Sequence, residues 1–291
     1  MYPGRFQYEA PKTIAEAIAI LTEAGPDAKL LAGGQSLIPM MKLRFAGPTV
    51  LVDINSIEGL DHLDLAADGS TRVGALVRHA DLERSPGLGA HNPVMAAAAP
   101  LVADPSVRNR GTFVGSLCHA DPQGDWAACM IALDGYVVAQ GPNGRREIPV
   151  KSFVTGPFQN VLAHNEIAVE AVVPAPRGEA RGAYLKLERR VGDFATAAVA
   201  VALDMSGDVV LRAGIALTGV GGTTVNASEA AESLTGSTLD ADSIARAAEL
   251  AAAAAQPRSD HRGSASYKRH IVNTFTARAL SGIASSSERA A

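Results

Sequence analysis

Two short segments hold the residues best suited to chemistry. The first is Leu31-Ala32-Gly33-Gly34-Gln35-Ser36-Leu37. Paired glycines after a strand let the backbone turn sharply and come close to a ligand. Successive N–H groups in such a turn form an anion-binding hollow, and Ser36 adds a hydroxyl donor. The same residues also describe an ordinary tight turn. The second segment is Arg110-Gly111-Thr112-Phe113-Val114-Gly115-Ser116-Leu117, followed by Asp121-Pro122-Gln123-Gly124-Asp125-Trp126. Gly, Thr and Ser again supply donors. Asp121 reads as an N-cap and Pro122 as the first residue of a helix running towards Leu133. The positive end of that helix would face the same segment and favour a phosphate. A carboxylate repels phosphate, so Asp125 suits the hydroxyls of a ribose or ribityl chain; the plainer reading makes it a solvated charge. Neither segment continues into Gly-Lys-Ser or Gly-Lys-Thr, and neither has Gly-x-Gly-x-x-Gly spacing. Two separate donor segments fit a pyrophosphate held between two subdomains.

Other chemistries find little support. The two cysteines, Cys118 and Cys129, fall short of the four thiolates that an iron–sulfur cluster usually takes. The seven histidines are scattered, without the clustered spacing of a zinc site, so no bound metal is expected. His119 has no partner motif and reads as structural. No general acid, base or nucleophile stands out. The net charge of −4 and the lack of a basic run argue against nucleic acid. The longest apolar stretch, Val94 to Ala103, is too short to span a bilayer. Met1 to Arg5 lacks the zones of a signal peptide, which points to the cytoplasm.

The elements that must position these segments follow from periodicity. Thr13 and Glu16 form a capping box, and Ile14, Ala17, Ile18 and Leu21 follow at helical spacing until Gly25-Pro26. Strands over Lys29 to Ala32 and Thr49 to Ile54 complete a small parallel α/β unit. A second unit, about 57 to 175, holds strands at Arg72 to Leu76, Tyr136 to Ala139 and Ile167 to Val173, and a helix over Pro93 to Val102. Pro174-Ala175-Pro176-Arg177-Gly178 marks a boundary. Beyond it, Thr196 to Leu203 and Val209 to Leu217 flank a hairpin turn. Helices are expected over Asp242 to Ala255 and His270 to Leu280, with a frayed end from Ser285.

In this order the chain resembles the FAD-binding medium subunit of molybdenum hydroxylases, of the carbon monoxide dehydrogenase type. Ala32 to Lys42 looks like the family's first FAD loop, and Asn109 to Asp125 like its second. Lys186 to Ala195 and Ser259 to Arg269 look like the start and end of its C-terminal domain. The resemblance implies an α+β fold. A PCMH-type FAD domain of two α/β subdomains spans 1–176, divided near 56. A domain with a three-stranded antiparallel sheet and helices spans 177–291. It implies FAD bound by Ala32, Gly33, Gly34, Gln35, Ser36, Leu37, Gly111, Thr112, Phe113, Val114, Gly115, Ser116, Asp125 and Lys186. Arg189 and Arg190 read equally as a pair reaching the cofactor or a partner and as an exposed charged pair. It also implies a large subunit with molybdopterin cytosine dinucleotide and a small subunit with [2Fe–2S] clusters, assembled as a dimer of heterotrimers. Two positions depart from the pattern: Val114 replaces the first glycine of a pair, and the bulky Trp126 follows Asp125. Valine disfavours positive φ, so Val114 is expected at ordinary negative φ, with Gly115 and Ser116 offering N–H groups to the cofactor. Two rival readings stay open: a stand-alone FAD-dependent oxidase, and a non-catalytic nucleotide-binding assembly subunit.

Overall fold

The computed structural model describes residues 2–288. Gln7–Glu9, Val50–Asp53 and Ala28–Leu31 form a parallel sheet with Val50–Asp53 in the middle. Helix Ile14–Ala24 packs through Ala17, Ile18 and Leu21. Thr13 Oγ1 accepts from the Glu16 N–H at 3.1 Å, and Glu16 reaches back to the Lys12 N–H at 2.8 Å. Gly25, at φ 69°, ends the helix.

The second unit is an antiparallel sheet in the order Leu63–Leu65, Thr71–Gly74, Ile167–Val173, Tyr136–Gly141, Gly144–Pro149. Ile167–Val173 is buried along its whole length, as a central strand that is apolar apart from Glu170, which pairs with Arg72. Pro93–Ala98 is α-helical, and Ala99–Leu101 tightens into a 3-10 turn around Pro100, which has no N–H to give.

Glu179–Leu187, Ala197–Ser206 and Val209–Thr218 form the third sheet, and the two-residue strand Val225–Asn226 adds a fourth at its edge. The turn between the second and third strands uses Gly207 at φ 57°. Strand Ala197–Ser206 divides two cores by the period of two. Ala198, Ala200 and Ala202 face the core that holds Trp126 and Met130, while Val199, Val201 and Leu203 face the C-terminal helices. Small residues let the layers close up: a Cβ on Gly214 would run into the Ala132 carbonyl.

Helix Ala241–Ala254 is capped by Asp240, which accepts from the Ser243 N–H at 2.8 Å. The last helix runs Ala265–Glu288, longer at both ends than its apolar pattern predicts. The backbone from Ser285 to Glu288 continues this helix; residues 289–291 lie outside the described residues. Among the described residues no helix is long and apolar enough to cross a membrane.

Candidate FAD site

The first glycine segment leaves the carboxyl end of strand Ala28–Leu31, the side of a parallel sheet where ligands bind. Gly34 has φ 72°, which glycine adopts without strain. Ser36 starts helix Leu37–Lys42, and its side chain makes no cap hydrogen bond. Gln35 is exposed, whereas Ala32, Gly33, Ser36 and Leu37 are half-buried. Gly33 lies directly against the second segment: a Cβ there would run into the Arg110 carbonyl and sit 2.7 Å from Gly111 Cα. Two segments far apart in sequence thus share one junction, with backbone alone at the contact.

The second segment is a helix start where the sequence reads as a loop. Thr112 caps helix Phe113–His119, its Oγ1 accepting from the Gly115 N–H at 3.1 Å. The Ser116 N–H bonds to the Thr112 carbonyl at 3.0 Å. The expectation that Gly115 and Ser116 offer free N–H groups is therefore corrected: the cap and the first helical turn take both. Val114 has ordinary helical geometry and lies outside the positive-φ residues, as expected, so no glycine is required there. Asp121 is a second correction. The next helix is Asp125–Ala132 with Gly124 at its N-cap, and Asp121 accepts instead from the Gln123 N–H at 2.9 Å. A tight turn, closed by the Gly124 N–H on the Asp121 carbonyl, precedes the helix, so Pro122 lies outside it.

Trp126 explains itself from behind this segment. Fully buried, it meets Phe113 edge-on at 4.8 Å between ring centroids and donates its indole N–H to His79 Nδ1 at 3.0 Å. His79 holds the Gly111 carbonyl through its own backbone N–H, also at 3.0 Å. A Cβ on Gly111 would meet the His79 ring at 2.9 Å. First segment, second segment, imidazole and indole form one stack. Burial, with Arg108 and Arg78 nearby, lowers the His79 pKa from 6.5 to about 4. The folded chain thus keeps His79 neutral where the unfolded chain binds a proton. Its contribution is present in full above pH 6.5 and drains as pH falls towards 4, by up to ~3 kcal/mol. Denaturant unfolding at a series of pH values is expected to show this loss, and His79→Gln to flatten it. Parallel profiles in the two proteins would contradict the assignment.

Asp125 and Lys186 come together as a buried ion pair. Asp125 accepts from Tyr184 Oη at 2.6 Å and from Lys186 Nζ at 3.2 Å. Lys186 also donates to the Leu101 carbonyl at 2.8 Å and lies 3.4 Å from Glu188. Burial pushes the Asp125 carboxyl above the usual carboxylate range, against the pull of Lys186 and Tyr184. Asp125 is thus no solvated surface charge. Arg189 and Arg190 are exposed on a loop pinned by Asp193 to Arg262 at 3.0 Å. His119 packs on Phe158 at 5.1 Å. Cys118 and Cys129 are free thiols, both pushed up by burial. Among the described residues no three His, Cys, Asp or Glu side chains gather as metal ligands.

Sequence reasoning missed Asn55 and Arg78, which join the two segments from one side. Asn55 donates to the Ala32 carbonyl at 2.9 Å, and Arg78 donates to the Arg110 carbonyl at 2.9 Å and to Asn55 Oδ1 at 2.7 Å. The available signal was position: Asn55 follows a second parallel strand at its carboxyl end.

Comparison with known proteins shows the family. A family described as the FAD binding domain in molybdopterin dehydrogenase matches residues 4–176, and the carbon monoxide dehydrogenase flavoprotein C-terminal domain matches residues 182–283. The chain is 44% identical to the carbon monoxide dehydrogenase medium chain of Hydrogenophaga pseudoflava, over 96% of this chain and 97% of that one. It is 38% identical to the 6-hydroxypseudooxynicotine dehydrogenase complex subunit alpha of Paenarthrobacter nicotinovorans, over 96% and 95%. The solved carbon monoxide dehydrogenase of Hydrogenophaga pseudoflava superposes with a TM-score of 0.93, covering 99% of each chain.

Proposed function

The chain belongs to the FAD-binding medium subunits of molybdenum hydroxylases, of the carbon monoxide dehydrogenase flavoprotein type, and we propose that it holds FAD where the Ala32–Leu37 segment meets the Gly111–Ser116 segment. It is the FAD-carrying, electron-transferring subunit of an oxidoreductase, with molybdenum and [2Fe–2S] centres in other subunits. The observation that carries the site is the junction itself. Gly33 has no room for a side chain against Arg110–Gly111, Gly34 has positive φ, and the Ser36 hydroxyl is not used as a cap. Such a cradle fits a diphosphate that needs close backbone approach.

When bound, FAD would supply the redox chemistry that links the partner subunits' clusters to an external acceptor. The protein's part is to bind and orient it. In this reading Ala32 to Leu37 approach the diphosphate by backbone, and Ser36 adds its hydroxyl. Thr112 and Phe113 hold the second wall rigid, with Val114, Gly115 and Ser116 forming the first turn behind it. Asp125 and Lys186 line the inner end as a charge pair. We place the domain division near residue 176 and the subdomain division near 56. The assembly is proposed as a dimer of heterotrimers with a large molybdopterin subunit and a small iron–sulfur subunit, working in the cytoplasm.

Relatives named for carbon monoxide and for 6-hydroxypseudooxynicotine match this chain over nearly the same length. The substrate is therefore selected outside the medium subunit, and carbon monoxide is the first to try. The test of the FAD reading is chemical. The purified complex, denatured, is expected to release one FAD per chain; FMN, or no flavin from the fully assembled complex, would overturn it.

A further inference from the structure

We infer that Asn55 and Arg78 form a clasp that fixes the separation of the two cofactor segments, acting as positioning residues for FAD. The inference rests on the FAD reading above. One continuous chain of hydrogen bonds runs between the segments: the Ala32 carbonyl accepts from Asn55 Nδ2 at 2.9 Å, Asn55 Oδ1 accepts from Arg78 Nη2 at 2.7 Å, and Arg78 Nη1 donates to the Arg110 carbonyl at 2.9 Å. The two ends are the residues that flank the glycine junction.

The side-chain types suit the task. A carboxamide is donor and acceptor in one plane, so Asn55 can face Ala32 and Arg78 at once. A guanidinium presents several donors in a fixed fork, so Arg78 can hold Asn55 and a carbonyl together. The clasp is itself braced. Asp53 Oδ1 accepts from Asn55 Nδ2 at 2.6 Å and from the Asn55 backbone at 2.8 Å, while Asp53 Oδ2 accepts from Tyr8 at 2.6 Å. Beyond Arg78, the backbone N–H accepts no freedom either, donating to Asp81 at 2.8 Å.

The junction has no slack on its other side. Gly33 already touches Arg110 and Gly111 with backbone atoms, so the segments cannot close further. The clasp keeps them from opening, and glycine contact keeps them from closing. Arg110 adds a second positive charge beside Arg78, matched by the carboxylates of Asp53 and Asp81.

The test uses the complete complex, stripped of FAD and titrated with FAD. Asn55→Ala and Arg78→Ala are each expected to weaken FAD binding by roughly ten- to a hundred-fold. The double variant should bind little worse than the weaker single, because both break the same chain of bonds. Arg78→Lys should recover only part of the affinity, keeping the charge but not the fork. Asn55→Asp keeps an acceptor for Arg78 but loses the donors to Ala32 and Asp53 and sets a second carboxylate beside Asp53; it too should weaken FAD while the complex assembles normally. Unchanged affinity in Asn55→Asp, or losses that simply add in the double variant, would overturn the clasp. A wild-type complex that takes up no FAD would overturn the flavin reading and the clasp with it, whereas FAD-replete wild type beside indifferent variants would overturn the clasp alone.

Discussion

Gly34→Val is expected to weaken FAD binding by roughly ten- to a hundred-fold while the chain still folds. Gly34 has φ 72°, a region that a β-branched side chain strongly resists. Its Cβ would also fall 2.8 Å from Ile38 Cδ1 and 3.1 Å from Leu31 Cδ1. The strain, of order 1–3 kcal/mol, is relieved by letting the turn relax, which moves the backbone N–H groups that face the ligand. Gly25→Val is the control. Gly25 has a similar φ of 69°, and a Cβ there meets nothing, but it caps a helix away from the junction. FAD content measured on both purified complexes should drop only for Gly34→Val. Equal losses would mean that general destabilisation, not the cradle, is being read.

Lys186→Met is expected to destabilise the chain by ~3–5 kcal/mol, a large share of the stability of an ordinary domain. The Lys186 side chain is 1% exposed and stands between Asp125 and Glu188. Glu188 Oε2 is buried with no hydrogen bond of its own, so Lys186 supplies its compensation through charge alone. Without Lys186, the buried Asp125 and the half-buried Glu188 lose their shared cation, and Asp125 keeps only the Tyr184 hydroxyl. Adding Asp125→Asn should return part of the loss, since one of the two charges is then gone. Denaturant unfolding of the FAD-free chain would measure both. A single variant within about 1 kcal/mol of wild type would show that these charges are better solvated than their burial indicates.

The elements that bury a periodic apolar face were legible in the sequence. Ile167–Val173 reads as a buried strand because every residue is apolar or is Glu170, and Glu170 is paired with Arg72. Helix Ile14–Ala24 was legible from its capping box and from the face carrying Ala17, Ile18 and Leu21. Edge strands Leu63–Leu65 and Gly144–Pro149 were not. The second is almost wholly exposed, and its run of Arg145, Arg146 and Glu147 carries no alternation. Position decided the helix starts. Thr112 and Asp121 are both good caps in isolation, and only packing selects Thr112, whose helix buries Phe113, Val114 and Leu117. The glycines of the junction were visible as flexible residues, but their contact was not. The clasp was least visible of all: Asn55 and Arg78 are 23 residues apart, and Arg78 and Arg110 are 32 apart, with no periodicity to connect them.

Electron delivery is the central expectation for this chain, and flavin reduction reads it most directly. The complete complex and the isolated FAD-loaded chain would each be mixed, without oxygen, with carbon monoxide, then with an aldehyde and an N-heterocycle, while the visible flavin band is followed. A flavin subunit fed by partner centres predicts that the substrate that bleaches the flavin of the complex leaves that of the isolated chain oxidised. Bleaching of the isolated chain by that substrate would contradict it, as would a complex whose iron–sulfur clusters are reduced while its flavin stays oxidised.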